Sequence, residues 1–194
     1  MNRKDRFACF IPVKPYVKRF LLTNFNEPDY NWPELVNLSS DKELNEAFRR
    51  RLQKKEFRYD HKYACLKKYS EQIAIEISKD DFYRHGWSLP MTDVVGFGLL
   101  VEKKIRMALF TYVDVRVSFG AEISTAIREF TKKFGFTEYD WKYDSIRKAY
   151  YRHACMDAFK GVPQLHELVD SIVLGALSKN GTISSQGMVV YAGM

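Results

Sequence analysis

A chain of 194 residues with 46% hydrophobic and 15% aromatic residues has the material for one packed domain, with or without a small appendage, and not for a disordered segment. Its net charge of +7 and pI near 9.2 suit acidic partners such as nucleic acid, an anionic membrane or an acidic protein. No apolar run approaches the roughly 18 residues of a membrane helix. No secretory leader is read before "FACFIPV", and Cys9, Cys65 and Cys155 form no Cys-x-x-Cys pair, so the expectation is a cytoplasmic protein with reduced thiols and neither membrane nor zinc.

In chain order, "FACFIPV" (7–13) is short, apolar and rich in strand formers. Pro15 suits the first turn of a helix, where its missing N–H costs nothing. Val17, Phe20, Leu21 and Phe25 then share one helical face. "NEPDYNWPE" is a loop, and "LVNL" (35–38) a short strand. Ser40 or Asp41 caps a helix that the spacing of Leu44, Phe48 and Leu52 carries on into "RRRLQKKEFR", giving a basic helix over 41–58. "HKYACLKKYSEQIAIEIS" predicts a hairpin turning near 67–70. Its second strand, 72–77, alternates Ile73, Ile75 and Ile77 against Ala74 and Glu76.

Ser78 caps the next helix and Gly86 stops it. A long helix follows, capped by Thr92 or Asp93 and ended by Gly120, with Leu99, Ile105, Leu109, Tyr112 and Val113 at helical spacing. Residues 113–117 are open to fraying into strand. "AEISTAIREFTKKFG" is a helix with Ile123, Ile127 and Phe130 on one face and Gly135 closing it. "DWKYDSIRKAYYRHA" starts another at Asp140 or Asp144. A last helix is expected near 163–179, then an apolar tail over 180–194.

The fold class expected is mainly α (α+β): five or six helices packed with a small antiparallel β-element from 7–13, 35–38 and 60–77. The composition shift at "KGVPQ" divides a domain, 1–160, from a C-terminal helix and tail, 161–194.

Residues 121–153 have the outline of a helix-turn-helix: helix, glycine, turn, then a second helix bearing basic and aromatic residues. In that motif the second helix enters the major groove and the first braces it. Arginine bonds bidentately to guanine and lysine meets phosphate. Lys142, Arg147, Lys148 and Arg152 are such donors, and Tyr151 can stack on or bond to the sugar-phosphate chain. Ile146 and Tyr150 have the spacing to face the core. The same outline fits an ordinary helical hairpin with a solvated basic face. In the 49–58 run, Arg51, Lys54, Lys55 and Arg58 share a helix face at i, i+3, i+4 and i+7, flanked by Arg49 and Arg50. Such a line suits a phosphate backbone, provided it lies on the same side of the molecule as 142–152; otherwise it keeps a surface helix hydrated.

Motifs of catalysis are missing from the sequence. His61, His85, His153 and His166 have no metal-ligand spacing, "GFG" at 96–98 lacks a third glycine, and "SKNGT" lacks the phosphate-loop order. The expectation is no enzyme and no cofactor. "FIPVKPYVKRFLLTNF" (10–25) and "YDSIRKAYYRH" (143–153) resemble segments of small, mostly uncharacterised proteins of Bacteroidetes, their phages (crAss-like phages among them) and mobile elements. That resemblance covers under a fifth of the chain. It implies a phage or mobile-element context and no catalytic residue.

The leading expectation is therefore a regulator that binds double-stranded DNA and self-associates, in the host cytoplasm. The alternative is a virion subunit, a ring or connector of the head-tail assembly with a DNA-facing basic surface, whose 180–194 tail contacts neighbouring subunits.

Overall fold

A computed structural model describes residues 7–28, 32–59 and 67–157, and side chains as far as residue 154. The chain divides into two compact units, Met1–His153 and Ala154–Met194. The described residues comprise β1 (Phe7–Val13), α1 (Pro15–Phe25), β2 (Leu35–Val36), α2 (Lys42–Arg49), β3 (Glu71–Ile77), α3 (Lys79–Arg84), α4 (Met91–Ser118), α5 (Ile123–Lys133) and α6 (Tyr143–Asp157). A mainly helical α+β fold with six α-helices among the described residues agrees with the sequence.

The three strands order as β1-β3-β2. β1 pairs with β3 antiparallel, Phe7 opposite Ile77 and Ile11 opposite Ile73. β2 pairs with β3 in parallel, Leu35 opposite Ala74. The sheet is therefore mixed, where a wholly antiparallel element was expected. The first strand of the expected hairpin lies outside the described residues. β3 exists as its alternation predicts, and its described partners are β1, from the start of the chain, and β2. Because side chains alternate along a strand, Cys9, Ile11 and Val13 stand on the same face as Ile73, Ile75 and Ile77, and all six are buried. Burial pushes the Cys9 thiol up to about 12, so it stays protonated at neutral pH.

Pro15 opens α1 at its first turn, and Val17, Phe20 and Leu21 turn inward. The preceding Lys14 meets Glu102 of α4 at 2.6 Å. Glu102 is 5% exposed, and a carboxylate so deep requires that partner. Asp41 caps α2 by accepting from the Leu44 N–H, 3.0 Å. Ser78 caps α3 by accepting from the Asp81 N–H, 3.1 Å. α4 is the beam of the fold, 28 residues and about 42 Å long at 1.5 Å per residue. It starts at Met91 after Pro90, with no side-chain cap from Thr92 or Asp93, and stays helical through 113–117. Its buried line is Val94, Phe97, Val101, Ile105, Leu109 and Val113, while Leu99 points outward at 56% exposure.

The basic helix ends early. α2 stops at Arg49, and 50–58 has no helical structure. Tertiary contacts set the stop. Gln53 forms a bridge with Ser88, its N–H donating to the Ser88 carbonyl at 2.9 Å, and the Trp87 N–H donates back to the Gln53 carbonyl at 3.2 Å. Gly86, at φ +121°, permits this approach: a Cβ there would stand 2.1 Å from the Gln53 carbonyl carbon. Gly86→Ala combines a disfavoured φ with a backbone clash. It is expected to cost at least about 2 kcal/mol and to free 53–58 for proteolysis, read by urea denaturation and limited digestion.

Candidate nucleic-acid interface

α4, α5 and α6 form a three-helix end to the first unit. α5 is fixed to α4 by Arg116, whose Nε and Nη2 donate to Glu129 at 2.7 and 3.0 Å, and by Phe130, fully buried against Tyr112. The Arg116 hydrogen bonds hold the Glu129 carboxyl below its ordinary range. Gly135, at φ +64°, ends α5: its N–H bonds to the Lys132 carbonyl and that of Phe136 to the Thr131 carbonyl, the paired closure that a left-handed residue makes possible. The nine residues 134–142 then turn the chain. Thr137 and Asp140 brace that turn, Asp140 Oδ2 accepting from the Thr137 N–H and hydroxyl at 2.9 and 2.7 Å. Asp140 therefore does not cap α6, which begins at Tyr143, its N–H reaching Glu138 at 3.3 Å.

Ile146 and Tyr150 anchor α6, buried to 0% and 6% exposure, as their spacing predicts. The Tyr150 hydroxyl donates to Asp114 at 2.7 Å, and His153 stacks on Phe110 at 4.0 Å. Burial raises the Tyr150 phenol above its ordinary 10.0, and bonding to the Asp114 carboxylate adds to the rise. Its folded-state pKa lies above the unfolded one, so its stabilising contribution is complete below pH 10 and lost as pH rises through the folded value. Tyr150→Phe is expected to cost about 1–2 kcal/mol at neutral pH, with the difference from the parent shrinking in alkali, measured by urea titration at a series of pH values.

With Ile146 and Tyr150 turned inward, the opposite face of α6 carries Lys148 and Arg152, with Arg147 and Tyr151 on its shoulder. All four are exposed, and Arg147 lies 5.6 Å over the Tyr151 ring. Lys142, just before the helix, is exposed too. Among the described residues none of Lys142, Arg147, Lys148 and Arg152 has a carboxylate partner.

The 49–58 group is less uniform. Arg49 is tied inward, its Nη2 2.6 Å from Asp81, which also accepts from the Ser78 hydroxyl. Arg50 pairs with Glu46 at 3.3 Å. Arg51 donates to the Ala47 carbonyl and lies beside Gly96. Lys54, Lys55 and Arg58 are exposed, Lys55 at 5.7 Å over the Phe57 ring. These cations do not share a helix face, because the helix has already ended.

α4 relates the two groups. Arg51 lies beside Gly96, and Tyr150 bonds to Asp114. Those positions are eighteen residues apart, five full turns, so they fall on one line of the helix about 27 Å apart. Arg51 at the end of α2 and Tyr150 in the middle of α6 thus touch one line of α4. Between them along α4, and exposed, are Lys103 and Arg106, which the sequence reading passed over. The signal was present as "KKIR" within the long helix: Lys103 and Arg106 are i, i+3 partners opposite the buried line. Arg106 has a long contact, 3.8 Å, with Glu102.

Among the described residues, no group of three or more His, Cys, Asp or Glu side chains is placed to hold a metal ion, and no helix is long and apolar enough to cross a membrane. No protein-family model, curated protein or solved structure matches this chain.

Proposed function

We propose that this chain binds double-stranded DNA through the outward face of α6, as a regulator serving a phage or mobile element. Arg147, Lys148 and Arg152 grip the duplex, with Tyr151 against the sugar-phosphate chain. Lys103 and Arg106 continue the contact along α4, and Lys54, Lys55 and Arg58 extend it toward the end of α2. The observation that carries this reading is a helix held by its apolar side and presenting cations that, among the described residues, no carboxylate neutralises. A cation left unpaired is available to displace counterions from phosphate, which makes affinity fall steeply with salt.

The test is titration of purified protein with labelled duplexes of random and of source-genome sequence across a salt series. A regulator shows a steep slope and a preferred site. A steep slope with no preferred sequence moves the assignment to a structural subunit beside packaged DNA. Absence of affinity at low salt refutes both.

A further inference from the structure

A cleft of about 350 Å³ lies where α5 hands over to α6. Three aromatic side chains line it: Phe136 and Trp141 from the turn, and Tyr143 from the first position of α6. Trp141 is fixed by Tyr16 of α1 stacked on it at 5.2 Å, with Phe136 edge-on at 6.0 Å. Among the described residues that line it, Arg128 of α5 is the cation, its guanidinium 5.8 Å from the Tyr143 ring. Arg128 is exposed and, among the described residues, has no carboxylate partner.

The remaining polar groups are of both kinds: Trp141 and Tyr143 bring an indole N–H and a phenol hydroxyl that donate, and the threonine hydroxyls and Glu138 bring oxygens that accept. The Thr131 hydroxyl donates to the Arg128 carbonyl at 2.8 Å, and the Thr137 hydroxyl donates to Asp140 at 2.7 Å while accepting from the Asp140 N–H at 3.3 Å. Glu138 is a carboxylate of the lining that already accepts from the Tyr143 N–H at 3.3 Å. A cleft with aromatic walls and a guanidinium suits a flat ring that carries an anion. Its volume lies within the range of small-ligand sites, and base-on-aromatic stacking with arginine on phosphate is a recurrent way of holding single nucleotides.

We infer that this cleft binds one unpaired nucleotide, the base against Trp141 and Tyr143 and its phosphate on Arg128. The inference goes beyond the duplex-binding proposal and uses none of its residues. The nucleotide can be free, or belong to an unpaired strand.

Calorimetric titration of the full chain with AMP, adenosine, dTMP and a 5′-phosphorylated four-nucleotide oligo(dA) tests it. AMP is expected to bind roughly tenfold or more tightly than adenosine, since a charge-assisted contact is lost without the phosphate, and dTMP within a few-fold of AMP, since stacking accepts any base. Arg128→Gln is expected to abolish the advantage of AMP over adenosine while leaving thermal denaturation unchanged. Oligo(dA) binding tighter than AMP assigns the cleft to a strand, and equal binding assigns it to a free nucleotide. If neither AMP nor oligo(dA) binds, or if Arg128→Gln binds AMP as the parent does, the inference is overturned. Duplex binding depends on Lys148 and Arg152 and survives Arg128→Gln, so the two proposals fail separately.

Discussion

Replacing Lys148 and Arg152 together by alanine is expected to lower affinity for duplex DNA by close to a hundredfold at 0.1 M salt and to flatten the salt slope by about two. Each phosphate neutralised contributes about 0.9 to that slope, so two lost contacts at 0.1 M amount to nearly two decades. Both side chains are exposed on the side of α6 away from Ile146 and Tyr150, so the fold should not change. Arg49→Ala provides the contrast. Its guanidinium is committed to Asp81, so it should lower the urea midpoint and leave the salt slope alone. Fluorescence anisotropy with one duplex at four salt concentrations separates these outcomes. An unchanged slope in the double variant would remove α6 from the interface.

The largest loss of stability is expected at Phe130→Ala, about 3–5 kcal/mol. Phe130 is fully buried, with the rings of Phe134 at 4.7 Å, Tyr112 at 5.8 Å and Phe136 at 6.0 Å. Three elements thus share one anchor: α4, α5 and the turn that leads into α6. A domain is stable by only about 5–15 kcal/mol, so this change should bring the chain near half-unfolding under mild denaturant. Phe119→Ala is the control, since Phe119 is 79% exposed and its removal should stay within about 0.5 kcal/mol. Urea unfolding followed by circular dichroism measures both. Similar midpoints for the two variants would mean that the aromatic cluster does not hold this end together.

Much of the fold was legible because local chemistry and final structure agree. Pro15 at a first turn, Asp41 and Ser78 as caps, the alternation of Ile73, Ile75 and Ile77, and the inward pair Ile146 and Tyr150 each follow from one residue type meeting one backbone need. The misreadings share a cause of the opposite kind. Arg51, Lys54, Lys55 and Arg58 have helical spacing, but a period among cations does not oblige a chain to coil. The helix stops because Gln53 is drawn to Ser88 over Gly86, contacts 33 to 35 residues away that no local window reports. Alternation identified β3 as a strand but was silent about its neighbour. Of the candidate site, the α6 residues were readable from their own helix. Lys103 and Arg106 escaped because their importance comes from what α4 lies between.

The pairing of β1 with β3 has a consequence for how the chain acquires its structure. Phe7 and Ile77, which face each other across the sheet, are seventy residues apart in sequence, whereas α4, α5 and α6 follow one another directly. Closing a long loop precedes any reward from the contacts it makes, so such pairings form slowly and consecutive helices quickly. During synthesis the first strand must wait, unpartnered and apolar, until residue 77 has left the ribosome. That interval is the period when a chaperone would find the most to hold.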